Sequence, residues 1–156
     1  MTLVCPELDV QVHQHCTNPE EPDTMYLMPG PDGKVLYTAI GRFTERLEPV
    51  GPPVKDGPMF VPAEHGDYYL SVEADGHERT PRKGGAIWVH RTGADKPLLK
   101  VPDFDAGLLA GRDQWHGPRL DQRLHLLPDI GLFIALTGSN DRLILQRLDL
   151  KAAGPR

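Results

Sequence analysis

Apolar and polar residues alternate with period two at several places along the chain, the mark of strands with one face in a core and the other in water. Leu8, Val10 and Val12 alternate with Asp9, Gln11 and His13 and predict such a strand. The acidic, proline-bearing stretch 18–23 reads as a loop, and 25–28 is a short apolar run closed by Pro29-Gly30-Pro31-Asp32-Gly33. In that cluster proline sets φ, aspartate bonds its own backbone and glycine accepts a positive φ, so the chain turns. Residues 35–39 return as a strand rich in β-forming side chains, and 42–48 supply a third.

The same cycle recurs twice. Strands are predicted at 59–62 and 68–72 around a turn at Glu64-His65-Gly66, followed by a polar loop over 75–84. Residues 85–90 and 97–101 pair naturally across a turn at 92–95. The third round comprises 124–127, a turn at Pro128-Asp129-Ile130-Gly131, 132–137, a turn at 138–141 and a last strand over 142–150. Residues 104–117 could form a short helix through Leu108 and Leu109, but glycines and the lack of clear periodicity favour loop, within an insertion spanning 103–122.

Aligned, the rounds share one unit: an apolar strand, a proline, a glycine three or four residues later, and a second apolar or aromatic strand. The matching prolines are Pro29, Pro62 and Pro128, separated by 33 (62 − 29) and 66 (128 − 62) positions. Sixteen glycines and sixteen prolines in 156 residues leave no room for long helices. Such recurrence of short strands points to a single all-β domain over 1–156, assembled from propeller-type blades.

Three segments carry a family resemblance. The run Met28-Pro29-Gly30-Pro31-Asp32-Gly33-Lys34-Val35-Leu36-Tyr37 resembles the Pro-Asp-Gly-Lys turn between the first two strands of a WD40-like propeller blade. Trp88-Val89-His90-Arg91-Thr92-Gly93, with Lys96-Pro97-Leu98 after it, is similar to the end of such a blade. Gly138-Ser139-Asn140-Asp141, leading to Leu148-Asp149, resembles the turn and strand that close one. Leu148-Asp149 stands where the family has Trp-Asp, Trp88 is followed by Val89, and no Gly-His pair opens a blade, so the resemblance is to degenerate blades. It implies about three antiparallel blades, too few to close a ring. The chain is then either the C-terminal part of a longer propeller or a half-ring that a second copy completes as a homodimer; a compact β-sandwich is the alternative fold. The resemblance further implies a scaffold that docks a protein partner or another part of its own parent chain.

Charge narrows the partners. Seventeen basic residues are scattered among 22 acidic ones, for a net charge of −5, which speaks against nucleic acid and against an anionic membrane surface. No apolar run is long enough to span a bilayer, and the first residues lack the basic start of a signal peptide, so the expected compartment is the cytoplasm. Cys5 and Cys16 are too few for a disulfide framework and are expected as thiols.

Candidate chemistry is sparse. His13 and His15 sit at alternate positions beside Cys16 and could share a metal, but no third ligand lies close in sequence, so no metal and no cofactor is expected. Ser71 and Ser139 lie outside any Gly-x-Ser-x-Gly elbow, which leaves no catalytic serine. The neighbouring acids Glu20 with Glu21 and Asp103 with Asp105 read as solvated loop carboxylates. The segment 112–119 differs: Arg112, Trp115, His116 and Arg119 combine the residue types that dominate binding hot spots, and they are the expected partner-binding residues. The plain alternative is that Trp115 plugs the blade beside it. The expected function is a non-enzymatic interaction module. Competing readings are a lactonase- or lyase-like propeller enzyme, which needs converging histidines, and a sugar-binding propeller stacking its ligand on Trp88 or Trp115.

Overall fold

A computed structural model describes residues 27–38, 41–51, 57–75, 80–110, 120–138 and 142–151. Among these residues, twelve short strands form antiparallel sheets in chain order. The first sheet joins β1 (Leu27–Pro29), β2 (Val35–Thr38) and β3 (Gly41–Thr44). The central sheet joins β4 (Met59–Pro62), β5 (Tyr68–Val72), β8 (Ile87–Arg91) and β9 (Leu99–Lys100). Between β5 and β8 a two-residue hairpin intervenes, β6 (Ala74–Asp75) with β7 (Thr80–Pro81). The third sheet joins β10 (Leu124–Leu127), β11 (Leu132–Leu136) and β12 (Leu143–Arg147). The expected all-β, antiparallel architecture is present, and these sheets do not close into a barrel or ring.

Each of the three main sheets opens with the same hairpin. Pro29 and Pro62 occupy the last paired positions of β1 and β4, opposite Leu36 and Tyr69, and Pro128 directly follows the Leu127–Leu132 pair. A proline at a strand end removes one terminal donor and leaves the rest of the ladder intact. The glycines that follow, Gly33, Gly66 and Gly131, all have positive φ, at 71°, 75° and 61°. At Gly131 a side chain is also excluded by space, because a Cβ there would lie 2.2 Å from the Leu148 carbonyl oxygen.

Register divides each sheet into two faces. On the central sheet, the rows Met59–Val72–Ile87 and Val61–Leu70–Val89 form a fully buried apolar face. The rows Phe60–Ser71–Trp88 and Pro62–Tyr69–His90 form the opposite, more polar face, which meets Tyr37 and Arg42 of the first sheet. The apolar face shares one core with Leu124, Leu126, Phe133 and Ala135 of the third sheet. The central sheet thus has a neighbour on each side.

Four expectations are corrected. The stretch 104–117 is not plain loop: Ala106–Leu109 form a 3-10 helix that the Asp105 carboxylate caps, accepting from the Gly107 amide at 2.8 Å. The stretch 103–122 is likewise not a mere insertion. Val101, Phe104, Ala106, Leu109 and Leu120 are buried, Phe104 meets Phe133 edge-on at 5.3 Å, and Leu120 opens a one-turn helix, α1 (Leu120–Arg123), that runs into β10. The described parts of this stretch, 103–110 and 120–122, are packed between the central and third sheets and act as a strut. The polar loop expected over 75–84 includes part of the β6–β7 hairpin. Finally, the strands expected over 42–48 and 142–150 stop at Thr44 and Arg147. After Thr44 the chain folds back so that Pro49 bridges Phe43, and after Arg147 the Leu148 amide bonds the Gly131 carbonyl at 2.6 Å.

Candidate functional site

The residues expected to bind a partner, Arg112, Trp115, His116 and Arg119, lie outside the described residues, as do His13, His15, Cys5, Cys16, Glu20, Glu21 and Ser139. The structure does locate Ser71, Trp88, His90, Asp103 and Asp105, and it assembles two features that sequence reasoning did not single out.

The first is an aromatic and cationic layer between the first and central sheets. Period two places Tyr69 and Ser71 on one face of β5, and the β5–β8 register sets His90 beside both. The His90 ring stacks on Tyr69 with centroids 4.7 Å apart and planes 8° from parallel. Its Nε2 shares a hydrogen bond of 2.8 Å with the Ser71 hydroxyl. From β3, Arg42 joins them: its guanidinium sits 4.6 Å from the Tyr69 ring centre and donates to the Tyr69 hydroxyl at 2.7 Å. Tyr37 completes the layer, 5.5 Å from Tyr69.

Burial and the nearby Arg42 charge push the His90 pKa down to about 4, so the imidazole is neutral near pH 7. Burial, only partly offset by Arg42, raises the Tyr69 phenol. Burial likewise raises Tyr37, against the Thr92 hydroxyl and Arg42, which lower it. A neutral imidazole beside a hydroxyl has the composition of a nucleophile and its base. Ser71 is only 4% exposed, however, so its hydroxyl faces protein, and the described contacts of the pair are adhesive. Trp88, on the same face, is tethered by its indole Nε1, which donates to Glu73 at 3.2 Å. Glu73 also accepts from Arg82 and from the Ala86 amide. Burial alone would raise its carboxyl, but these donors together hold it below the ordinary carboxylate range.

The second feature is the outer face of the third sheet. Its inner rows, Leu124–Ala135–Ile144 and Leu126–Phe133–Gln146, turn to the core. The alternate rows are also mostly apolar: His125–Ile134–Leu145, Leu127–Leu132–Arg147 and Leu136–Leu143. None of these side chains belongs to the described core, and Leu143 and Leu145 are 64% and 58% exposed. A sheet apolar on both faces is the pattern of one covered on both sides. The signal was present in sequence as the unbroken apolar run Leu132-Phe133-Ile134-Ala135-Leu136.

Paired side chains anchor this sheet. Glu64 and His65, in the β4–β5 turn, meet His125 and Asp129 respectively, and the Glu64 amide donates to the Leu126 carbonyl at 3.0 Å. Beside Asp129 an open cleft of about 620 Å³ runs between the Pro128–Gly131 turn and residues 147–151, with charges of both signs at its lip. No group of three or more His, Cys, Asp and Glu side chains among the described residues is arranged to hold a metal. No helix among them is long and apolar enough to cross a membrane. Comparisons with protein-family models, with curated proteins and with solved structures find no match to this chain.

Proposed function

We propose that this chain is a non-enzymatic interaction module, built from degenerate, WD40-like propeller blades, that works by presenting a sheet face to a protein partner. The observation that carries this reading is the apolar outer face of the third sheet, with Leu143 and Leu145 set in water beside Ile134 and Leu136. Contiguous exposed apolar surface rimmed by polar groups marks protein contact far more often than chemistry. The blade assignment draws on the threefold recurrence of strand, proline, left-handed glycine and strand, each copy opening its own antiparallel meander.

The test compares affinity capture by the wild-type chain with capture by the double variant Leu143→Glu/Leu145→Glu. Both side chains are exposed, so the variant is expected to keep its far-UV circular dichroism and melting temperature. Partners retained by the wild type and lost by the variant support the reading. Identical captures by two equally folded proteins overturn it.

A further inference from the structure

The first sheet is held to the molecule differently from the third. Among the described residues, the backbone hydrogen bonds of 27–51 all close within that stretch. They comprise its two ladders and turn bonds such as the Glu45 amide on the Lys34 carbonyl at 3.1 Å and the Val50 amide on the Arg42 carbonyl at 2.8 Å. The third sheet, by contrast, is tied through backbone. The Glu64 amide donates to the Leu126 carbonyl at 3.0 Å, and just past β11 the Gly138 amide donates to the Leu108 carbonyl at 2.6 Å. Side chains of the Met28–Tyr37–Arg42 row attach the first sheet. Met28 and Tyr37 are buried in the shared core, and the Tyr37 hydroxyl lies 3.4 Å from the Thr92 hydroxyl. Arg42 bonds Tyr69 and sits 5.6 Å from the Phe60 ring centre.

Charge acts on this attachment at one point. The His90 ring, from β8, and the Arg42 guanidinium, from β3, lie 4.7 Å and 4.6 Å from the centre of the same Tyr69 ring. With a neutral imidazole the layer holds one cation. With an imidazolium it holds two, one from each sheet, in a half-buried space. The other groups around His90 do not offset the second charge. β5 and β2 present the hydroxyls of Ser71, Tyr69 and Tyr37, and β4 presents Phe60 and Pro62. On β9, Lys100 shares this face and adds a positive charge. The acids of the flanking segments are paired elsewhere: Asp67 with Arg91, Glu73 with Arg82 and Asp32 with Lys34.

We infer that the first sheet is an acid-released unit: protonation of His90 undocks 27–51 from the central sheet while the central and third sheets stay folded. Once released, His90 faces water and takes a proton at its ordinary value of 6.5, whereas in the docked form it does so only at about 4. Docking is therefore at full strength above the higher value, weakens as pH falls between the two, and weakens no further below the lower one. That separation corresponds to roughly 300-fold in the docking equilibrium, and screening at a half-buried ring brings the working figure to about 30-fold. A three-stranded piece this short does not keep its ladders once its packed face is lost, so release exposes its amides. It also bares Phe60, Tyr69 and His90 on the central sheet.

The test is native-state hydrogen exchange read by mass spectrometry at about pH 7.5 and about pH 4.5, each corrected for the intrinsic exchange rate, with far-UV circular dichroism as the control for folding. Peptides covering β2 and β3 are expected to lose about 30-fold in protection at the lower pH relative to peptides covering β10 and β11. In His90→Gln, which does not titrate, that relative loss is expected to vanish. Equal loss of protection in both sheets of the wild type overturns the inference, because acid then acts on the fold as a whole. Unchanged protection of β2 and β3 overturns it as well, and so does a folded His90→Gln variant that keeps the wild-type loss. Should that variant fail to fold, the comparison between sheets in the wild type decides the matter alone.

Discussion

Acid should weaken this fold through His90 specifically, by an amount the structure sets. The ring is stacked on Tyr69, bonded to Ser71 and close to the Arg42 guanidinium, and its pKa falls from 6.5 to about 4. The unfolded chain therefore takes up a proton on this residue below about pH 6.5, while the folded chain does not until about pH 4. Stability is thus fully present above the unfolded value, is lost as pH falls between the two, and drops no further on this account below the lower one. At about 1.4 kcal/mol per tenfold change, the full loss is on the order of 3 kcal/mol. Because the ring is only half-buried and water screens part of the Arg42 repulsion, about 2 kcal/mol is the working figure. The perturbation is His90→Gln, which keeps a hydrogen-bonding group for Ser71 but does not titrate. Urea unfolding followed by circular dichroism, from about pH 7.5 down to about pH 4.5, gives each protein a stability curve. The wild-type curve is expected to fall more steeply than the variant's, the gap between them changing by about 2 kcal/mol over that window. Contributions from carboxylates cancel in the difference. Parallel curves would refute the reasoning, since the proton would then sit equally well on folded and unfolded chains.

Two further outcomes are expected. Gly131→Ala should cost about 2–4 kcal/mol or prevent folding, because the left-handed backbone and the Leu148 carbonyl at 2.2 Å both oppose a Cβ. The matched change Gly33→Ala, where φ is 71° and no atom lies within 4 Å, should cost only about 1 kcal/mol; equal melting temperatures for the two variants would contradict this. Glu73→Gln should weaken the fold by about 1 kcal/mol at neutral pH, measured by urea unfolding. Because the carboxyl is held below its ordinary value, its contribution is present above about pH 4.5 and is lost as pH falls further. The wild-type advantage should therefore shrink in acid, and an advantage that grew there would reverse the assignment.

What the sequence disclosed was whatever depends on near neighbours. Short apolar and aromatic runs bounded by turn residues placed β4 and β5 at their observed bounds, and the Pro–Gly clusters placed the hairpin turns, because φ is decided within a few residues. The β8–β9 pairing was legible for the same reason: a Thr-Gly turn separates two apolar runs. The misses depend on distant groups. Asp105 caps its own 3-10 helix but also holds the Gly84 amide at 2.7 Å, and the Ala106 amide bonds the Gly85 carbonyl at 2.9 Å, so this segment is held by groups some twenty residues away. The β6–β7 hairpin adjoins Glu73, which reaches forward to Arg82, Ala86 and Trp88. In the aromatic layer, Arg42 and Tyr69 come from different sheets, and no local pattern pairs them. The expected hot spot at 112–119 remains a sequence expectation, outside the described residues.

The outer faces are a different kind of miss, and they bear on function. Reading strands by alternation assigns each one core face and one wet face, which is right for the ends of a stack that lives alone in water. Stacked repeats that stand alone need polar outer faces on their terminal units. Among the described residues the alternation breaks down at the two outer sheets: Ile134 and Leu136 flank the buried Ala135, and Leu36 lies beside the buried Tyr37. Leu143 and Leu145, the most exposed of the six apolar side chains on the outer face of the third sheet, contribute little in the isolated chain, because burial contributes roughly 25 cal/mol per Å² only for area actually removed from water. The same side chains become favourable once a second surface covers them. Among the described residues the third sheet is therefore composed as an interior layer, and the Leu143→Glu/Leu145→Glu variant is chosen to find what covers it.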